Sequence, residues 1–243
     1  MHNEHIILGK FSQVELDRIM YESSRIMDTG KRIGFISGQF LGIEYGEATL
    51  TGDRDIPEVL VINLQKVDCF TFLDYVEAIR ISKSFEEFKH NLQKVRYKSG
   101  VISFNTRNHF FADWTTSNSD IVGDITEKIG EGRAIRVQKM LNKKEDGTEF
   151  VSGIGPSLRE ITYIPSGSVD NHTLERLRTG DYIGIYSHME GLDVSHVGII
   201  IKDAETVYLR HGSSQKEFRK VVNQDFKIYI ADKPGIIVLR CKD

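Results

Sequence analysis

Cys69, His196 and His211 are the residues of this chain best suited to covalent chemistry. Cys69 follows Asp68 and opens a run with apolar Phe72, Tyr75, Val76 and Ile79, the spacing of a helix with one buried face. The thiol then sits at the first turn, where the helix dipole and unpaired amides favour thiolate. Those amides can also hold the oxyanion of a tetrahedral intermediate. The plainer alternative is a small buried hydrophobe, the commoner fate of a cysteine. His196 starts the apolar run Val197 to Ile201, and Asp203-Ala204-Glu205 turns the chain back toward Val207-Tyr208-Leu209-Arg210-His211. The hairpin brings the two histidines near each other on adjacent strands. One imidazole can then deprotonate the thiol while the other orients it. Taken singly, each histidine reads equally well as a satisfied polar residue at a strand end. A zinc site drawn from His188, Asp193 and His196 has no support in spacing, because the chain contains no His-Glu-x-x-His.

The elements that must position these residues change period midway. Ser12-Gln13-Val14-Glu15 is a capping box, followed by Leu16, Ile19, Met20, Ile26 and Met27 at helical spacing, with Gly30 as the expected stop. A second helical segment is predicted over about Ile33 to Leu41, a strand over Val59 to Ile62, the Cys69 helix to Ile79, and a helix from Ser84 to about Val95. Residues 97–120 show no period and carry the single tryptophan, Trp114, with His109 and Asp113; a polar loop of that length is more often functional than idle. From about residue 133 the pattern alternates, predicting strands at Ala134–Met140, Ile161–Ile164, Tyr182–Tyr186, His196–Ile201, Thr206–His211 and Ile236–Arg240, with a short helix over about Asn171 to Arg178. Helices first and antiparallel strands later, without βαβ alternation, predict one α+β domain over residues 1–243, its helical part at about 11–95 and its sheet part at about 133–241.

The 243 residues carry 32 Lys+Arg against 35 Asp+Glu, a net charge of −3, which argues against nucleic acid or an anionic membrane as the partner. Surface scaling gives roughly 11,000 Å² exposed when folded against roughly 40,000 Å² unfolded, so a sizeable core forms without disulfides. Cys69 and Cys241 read as separate thiols. No apolar run reaches the roughly 18–20 residues of a membrane helix. The opening MHNEHIILGK shows no basic segment followed by a long apolar one, so no secretory leader is visible in this sequence.

Five elements occur in order: Leu41-Gly42-Ile43-Glu44-Tyr45, Asp68-Cys69, Gly180-Asp181, His196-Val197-Gly198 and His211. Together they resemble the NlpC-type cell-wall peptidases and amidases, which have a papain-like fold. The likeness is closer to one bacterial branch, the N-acetylmuramoyl-L-alanine amidase-like family. Its recurring segments match Val67 to Phe72, His109 to Trp114, Leu177 to Asp181 and Leu192 to Gly198, and the resemblance spans about residues 35–241. Two departures from the wider superfamily are Ile43-Glu44 in place of Thr-Pro before Tyr45, and Phe70-Thr71 in place of Ser-Gly after Cys69.

The resemblance implies Cys69 as nucleophile, His196 as general base and then acid, and His211 as its orienting partner. It implies Tyr45 as a donor to the oxyanion or the thiol, with Asp68 and Ser195 as substrate contacts. His109, Asp113 and Trp114 would wall the cleft, although Trp114 reads equally as a loop anchor. Asp181 reads as a turn residue and Cys241 as structural. The implied activity is hydrolysis of the N-acetylmuramoyl-L-alanine bond of muropeptides, without metal or cofactor, in a bacterial periplasm or envelope. An endopeptidase cutting after D-glutamate and a non-catalytic binder of cell-wall fragments remain the alternatives.

Overall fold

Ser12 caps the first helix in both directions: its Oγ accepts from the Glu15 amide at 3.2 Å, and the Glu15 carboxylate accepts from the Ser12 amide at 2.8 Å. The computed structural model describes residues 4–242, divided into a unit of residues 4–107 with 210–223 and a unit of 108–209 with 224–242. In the first unit, β1 (Glu4–Ile7) is followed by α1 (Gln13–Ser24), α2 (Thr29–Gly38), β2 (Glu44–Tyr45), β3 (Leu60–Asn63), β4 (Lys66–Val67), α3 (Cys69–Arg80) and α4 (Phe85–Arg96). Strand β1 pairs in parallel with β3, and β2 with β4. Leu16, Met20, Ile36, Phe40, Phe72, Tyr75 and Phe88 form a core with almost no exposed surface. Helix α3 is buried from Thr71 through Arg80, so it lies at the centre of its unit rather than on one side. Its buried charges are paired, Asp74 with Arg96 at 2.8 Å and Glu77 with Arg80, as burial of ions demands.

Gly30 does not stop the first helix. Helix α1 ends at Ser24, and Asp28 starts α2 by accepting from the Lys31 amide at 2.7 Å. Gly30 therefore lies in the first turn of α2, and Met27, expected on the buried face, is 86% exposed. The cap at Asp28 outranks the apolar spacing that runs on through Ile26 and Met27.

The second unit begins with α5 (Phe111–Ser117), β5 (Val122–Asp124), α6 (Thr126–Gly130), β6 (Ile135–Leu141), β7 (Ser157–Pro165), α7 (Asn171–Arg176), β8 (Tyr182–Tyr186) and β9 (Val194–Lys202). Strand β10 (Val207–Gly212) passes into the first unit after Leu209, and β11 (Val221–Asp225) passes back after Asn223. The chain returns with α8 (Phe226–Ile230) and β12 (Gly235–Cys241). Strand order across the second unit is β10-β9-β8-β12-β7-β6, with β5 also on β12. The pairs β8–β9, β8–β12, β12–β7 and β7–β6 are antiparallel, giving the α+β class that the change of period predicts. Ile164, Ile183, Ile185, Ile200, Leu209, Phe226, Ile236 and Val238 make its core. The Asp203 carboxylate closes the β9–β10 turn by accepting from the Glu205 and Thr206 amides. Among the described residues, no helix is long and apolar enough to cross a membrane.

Candidate active site

Cys69 is the first residue of α3, and Asp68 is its cap. The Asp68 Oδ1 accepts from the amides of Phe70 at 2.9 Å and Thr71 at 2.7 Å, and from the Thr71 hydroxyl at 3.0 Å. The Thr71 hydroxyl in turn accepts from the Asp68 amide at 3.1 Å. Thr71 thus closes a capping box that fixes the turn carrying the thiol, an arrangement worth about 1 kcal/mol at its cap. Asp68 is engaged in this cap, which the sequence reading as a substrate contact did not foresee. Cys69 is half-buried and Cys241 buried, and neither is in a disulfide.

Strand β10 passes directly against this helix start. A Cβ placed on Gly212 would meet the carbonyl carbon and oxygen of Asp68 at 3.2 Å and the amide nitrogen of Cys69 at 3.4 Å. The neighbouring His211 is fully buried. Arg210 fixes the strand: its Nε donates to Asn223 Oδ1 at 2.8 Å, and its Nη1 donates to Gly34 O and Ser37 Oγ, both at 2.9 Å. Burial among neutral acceptors pulls its guanidinium down to about 10.

Tyr45 completes this group. It sits opposite Val67 in the β2–β4 pair, two residues from Cys69. Gly42, in the left-handed region at φ +82°, donates its amide to Val221 O, and Ile43 O accepts from the Val221 amide at 2.8 Å. The Leu-Gly-x-x-Tyr segment is thereby stitched to β11. Desolvation, followed by the nearby charges of Cys69, Asp68 and Glu47, pushes the Tyr45 phenol up to about 12. It therefore stays protonated and able to donate throughout the working range of an enzyme.

In the second unit, His196 lies opposite Ile185, and a bulge at Ile185/Tyr186 leaves the preceding Ser195 as the extra residue. Such a bulge re-aims the side chains beside it. Ser195 is exposed, His196 is half-buried, and the imidazole lies 6.1 Å from the Tyr229 ring. Asp193 sets the approach to this bulge. Its carboxylate, 1% exposed, accepts from the Val194 amide at 2.8 Å and the Ala112 amide at 2.7 Å. Desolvation raises it to about 6 against the pull of those bonds. Asp193 therefore caps α5, whose own N-cap, Phe110, has no side-chain acceptor. The Lys139 ammonium holds the same loop, donating to the carbonyls of Ser187, of Met189 at 2.9 Å and of Leu192 at 2.7 Å. With both carboxylate oxygens bonded to amides, Asp193 is a structural residue and no companion for His188 and His196 at a metal. Among the described residues, no three His, Cys, Asp or Glu side chains are grouped to hold a metal ion.

Trp114 is fully buried, stacked on Phe111 and edge-on to Tyr182 at 5.6 Å, which leaves no indole face open to a sugar. The cleft-wall reading gives way there to packing, because the supposed loop is a helix docked into the core. Asp113 is also buried and pairs with Arg159 at 2.7 Å. His109, just before α5, is half-buried. Asp181 accepts two bonds from Arg240, at 2.6 and 2.8 Å, and one from the Arg178 amide, as befits a turn residue. Thr71 and Gly212 shape the Cys69 turn, and Asp193 and Lys139 hold the loop before His196; the sequence reading gives none of them these parts. Only Thr71 had a visible sequence signal, the Asp-x-x-Thr spacing of a capping box.

The profile of the AmiA-like family, described as N-acetylmuramoyl-L-alanine amidase-like, matches residues 35–236. An N-acetylmuramoyl-L-alanine amidase from Bacteroides uniformis is 28% identical over 88% of this chain and 99% of its own, with a TM-score of 0.75. A Legionella pneumophila protein shares the fold at a TM-score of 0.80 and 22% identity, covering 95% of this chain and 94% of that one. A Bacteroides fragilis structure named as a candidate xylanase is 26% identical over 84% of this chain and 98% of its own, with a TM-score of 0.69. No curated protein matches the sequence. The chain belongs to the AmiA-like family of N-acetylmuramoyl-L-alanine amidase-like proteins.

Proposed function

We propose that this protein is a cysteine amidase of papain-like fold that hydrolyses the N-acetylmuramoyl-L-alanine bond of peptidoglycan fragments. The observation that carries the reading is Cys69 at the first position of a doubly capped helix, with the strand of His211 packed against that helix start. His196 takes the thiol proton, and the thiolate attacks the lactyl carbonyl. The tetrahedral oxyanion is held by helix amides and the Tyr45 hydroxyl. The C–N bond then breaks as His196 returns its proton to the departing alanine amine. Water, deprotonated by the same imidazole, attacks the thioester and releases the muramyl carboxylic acid and the free thiol. His211 orients His196, and exposed Ser195 with half-buried His109 contacts the substrate. By that substrate we assign the protein to a bacterial periplasm or envelope.

A sugar-bond hydrolase, as the Bacteroides fragilis name suggests, would need a pair of available carboxylates. Asp68 and Asp193 are both occupied as helix caps. Purified protein incubated with a defined muropeptide, with products identified by mass, tests the proposal. Free muramyl sugar and intact stem peptide are expected; an L-Ala-D-Glu-bearing fragment would instead mean an endopeptidase. Cys69→Ala and His196→Ala should abolish turnover and His211→Ala should leave a residue of it. Iodoacetamide should inactivate where EDTA does not. Full activity in Cys69→Ala, or binding without hydrolysis by the unmodified protein, refutes the mechanism.

A further inference from the structure

Arg219 lies over the Tyr45 ring and has no role in the chemistry above. Its guanidinium carbon lies 4.9 Å from the centre of the Tyr45 ring, and its carbonyl accepts from the Tyr45 amide at 2.9 Å. The residue is thus registered to Tyr45 through both backbone and side chain. Its φ of +46° is unusual for a residue with a Cβ, so the surrounding hairpin holds it there at a local cost. Among the described residues its ion pair is with Glu47, at 3.0 Å from Nη1. Both partners are largely exposed, at 47% and 72%, and such pairs contribute little, so an incoming anion can displace Glu47. A guanidinium stacked on an aromatic face is pre-organised for two-pronged recognition of a carboxylate.

We propose that Arg219, backed by Tyr45, forms a subsite beside Cys69 for a carboxylate of the stem peptide. The inference rests on the amidase reading and deepens it. The leaving peptide begins with L-alanine and continues with D-glutamate, which is joined onward through its side chain and so keeps a free α-carboxylate. That group lies two residues from the scissile bond, a reach of about 7 Å. Tyr45 is paired with Val67, two residues before Cys69, and carries the guanidinium 4.9 Å from its ring centre, so the cation stands one side chain away from the thiol turn. Amidation of this carboxylate removes the charge and one acceptor oxygen, so the subsite discriminates between acid and amide forms of the fragment.

The test uses two muropeptides identical except that the α-carboxylate of D-glutamate is free or amidated. Wild type should prefer the acid about tenfold or more in kcat/KM, the scale of one charge-assisted hydrogen-bonded contact. Arg219→Gln should erase the preference through KM, and Arg219→Lys should restore part of it. A wild type without preference, or an Arg219→Gln variant that keeps it, overturns the proposal. A second arm needs no substrate: the ratio of Cys69 alkylation rates by iodoacetate and by iodoacetamide, followed by peptide mass. A cation within reach of the thiol favours the anionic reagent, so Arg219→Gln should lower the ratio about twofold at low salt. An unchanged ratio counts against the subsite. Failure of wild type to cleave either muropeptide sinks the amidase reading, and the alkylation ratio then decides the role of Arg219 by itself.

Discussion

Gly212→Ala is the sharpest test of how the site is built. The new methyl carbon would sit 3.2 Å from the Asp68 carbonyl carbon and oxygen and 3.4 Å from the Cys69 nitrogen. All three are backbone atoms in a capped turn, so no side-chain rotation relieves the contact. Contacts this short are tighter than ordinary carbon contacts at about 3.5–4.0 Å, so β10 and the start of α3 must separate by a few tenths of an ångström. A misplacement of about 1 Å costs an active site about 100-fold, so a shift of about 0.3–0.5 Å costs about 4- to 10-fold in kcat/KM. Overpacking of this kind costs about 1–3 kcal/mol, at about 2–4 °C in Tm per kcal/mol for a chain of this size. The assay pairs muropeptide turnover with a thermal melt and the iodoacetamide rate of Cys69. Activity should fall well below the folded fraction at the assay temperature. An alanine variant with wild-type turnover and an unshifted Tm would refute the close approach of β10 to the Cys69 helix.

Asp193 and Tyr45 carry the pH predictions. The Asp193 carboxyl rises from 3.8 to about 6 on folding, so the folded protein keeps a proton that the unfolded chain has lost between those values. The stability it contributes is full below about pH 4 and is lost as pH rises through about 6. The gap in unfolding free energy between wild type and Asp193→Asn should therefore be wider at about pH 4.5 than at about pH 7.5, by about 2 kcal/mol in urea titrations. Equal gaps at both pH values would show that the carboxyl is not raised. Tyr45→Phe should lower kcat about 100-fold, the scale of one lost oxyanion donor. Because the phenol is pushed up to about 12, wild-type kcat should show no loss from tyrosine ionisation below about pH 10. A Tyr45-dependent fall in activity at lower pH would refute that placement.

What the sequence determined by itself was local. Helical spacing and caps located α3, α4 and the start of α1, because these signals lie within one or two turns of the residues they govern. Strand-length apolar runs located β8 with the same bounds and β9, β10 and β12 to within two residues, because strands buried on both faces leave such runs. The order of Cys69, His196 and His211, together with the segments around them, pointed to the family. Tertiary structure alone decided the rest. Strands β1, β5 and β11 are too short or too polar to show a period, and they exist because a partner strand satisfies their backbone. Trp114 and Asp193 acquired their roles only through contacts with distant residues, the indole in a core completed by Tyr182 and the carboxylate at a helix 81 positions away. Gly212 is the plainest case. Its lack of a side chain is written in the sequence, but the need for it comes from a backbone 144 residues earlier (212 − 68) that folding brings within van der Waals contact.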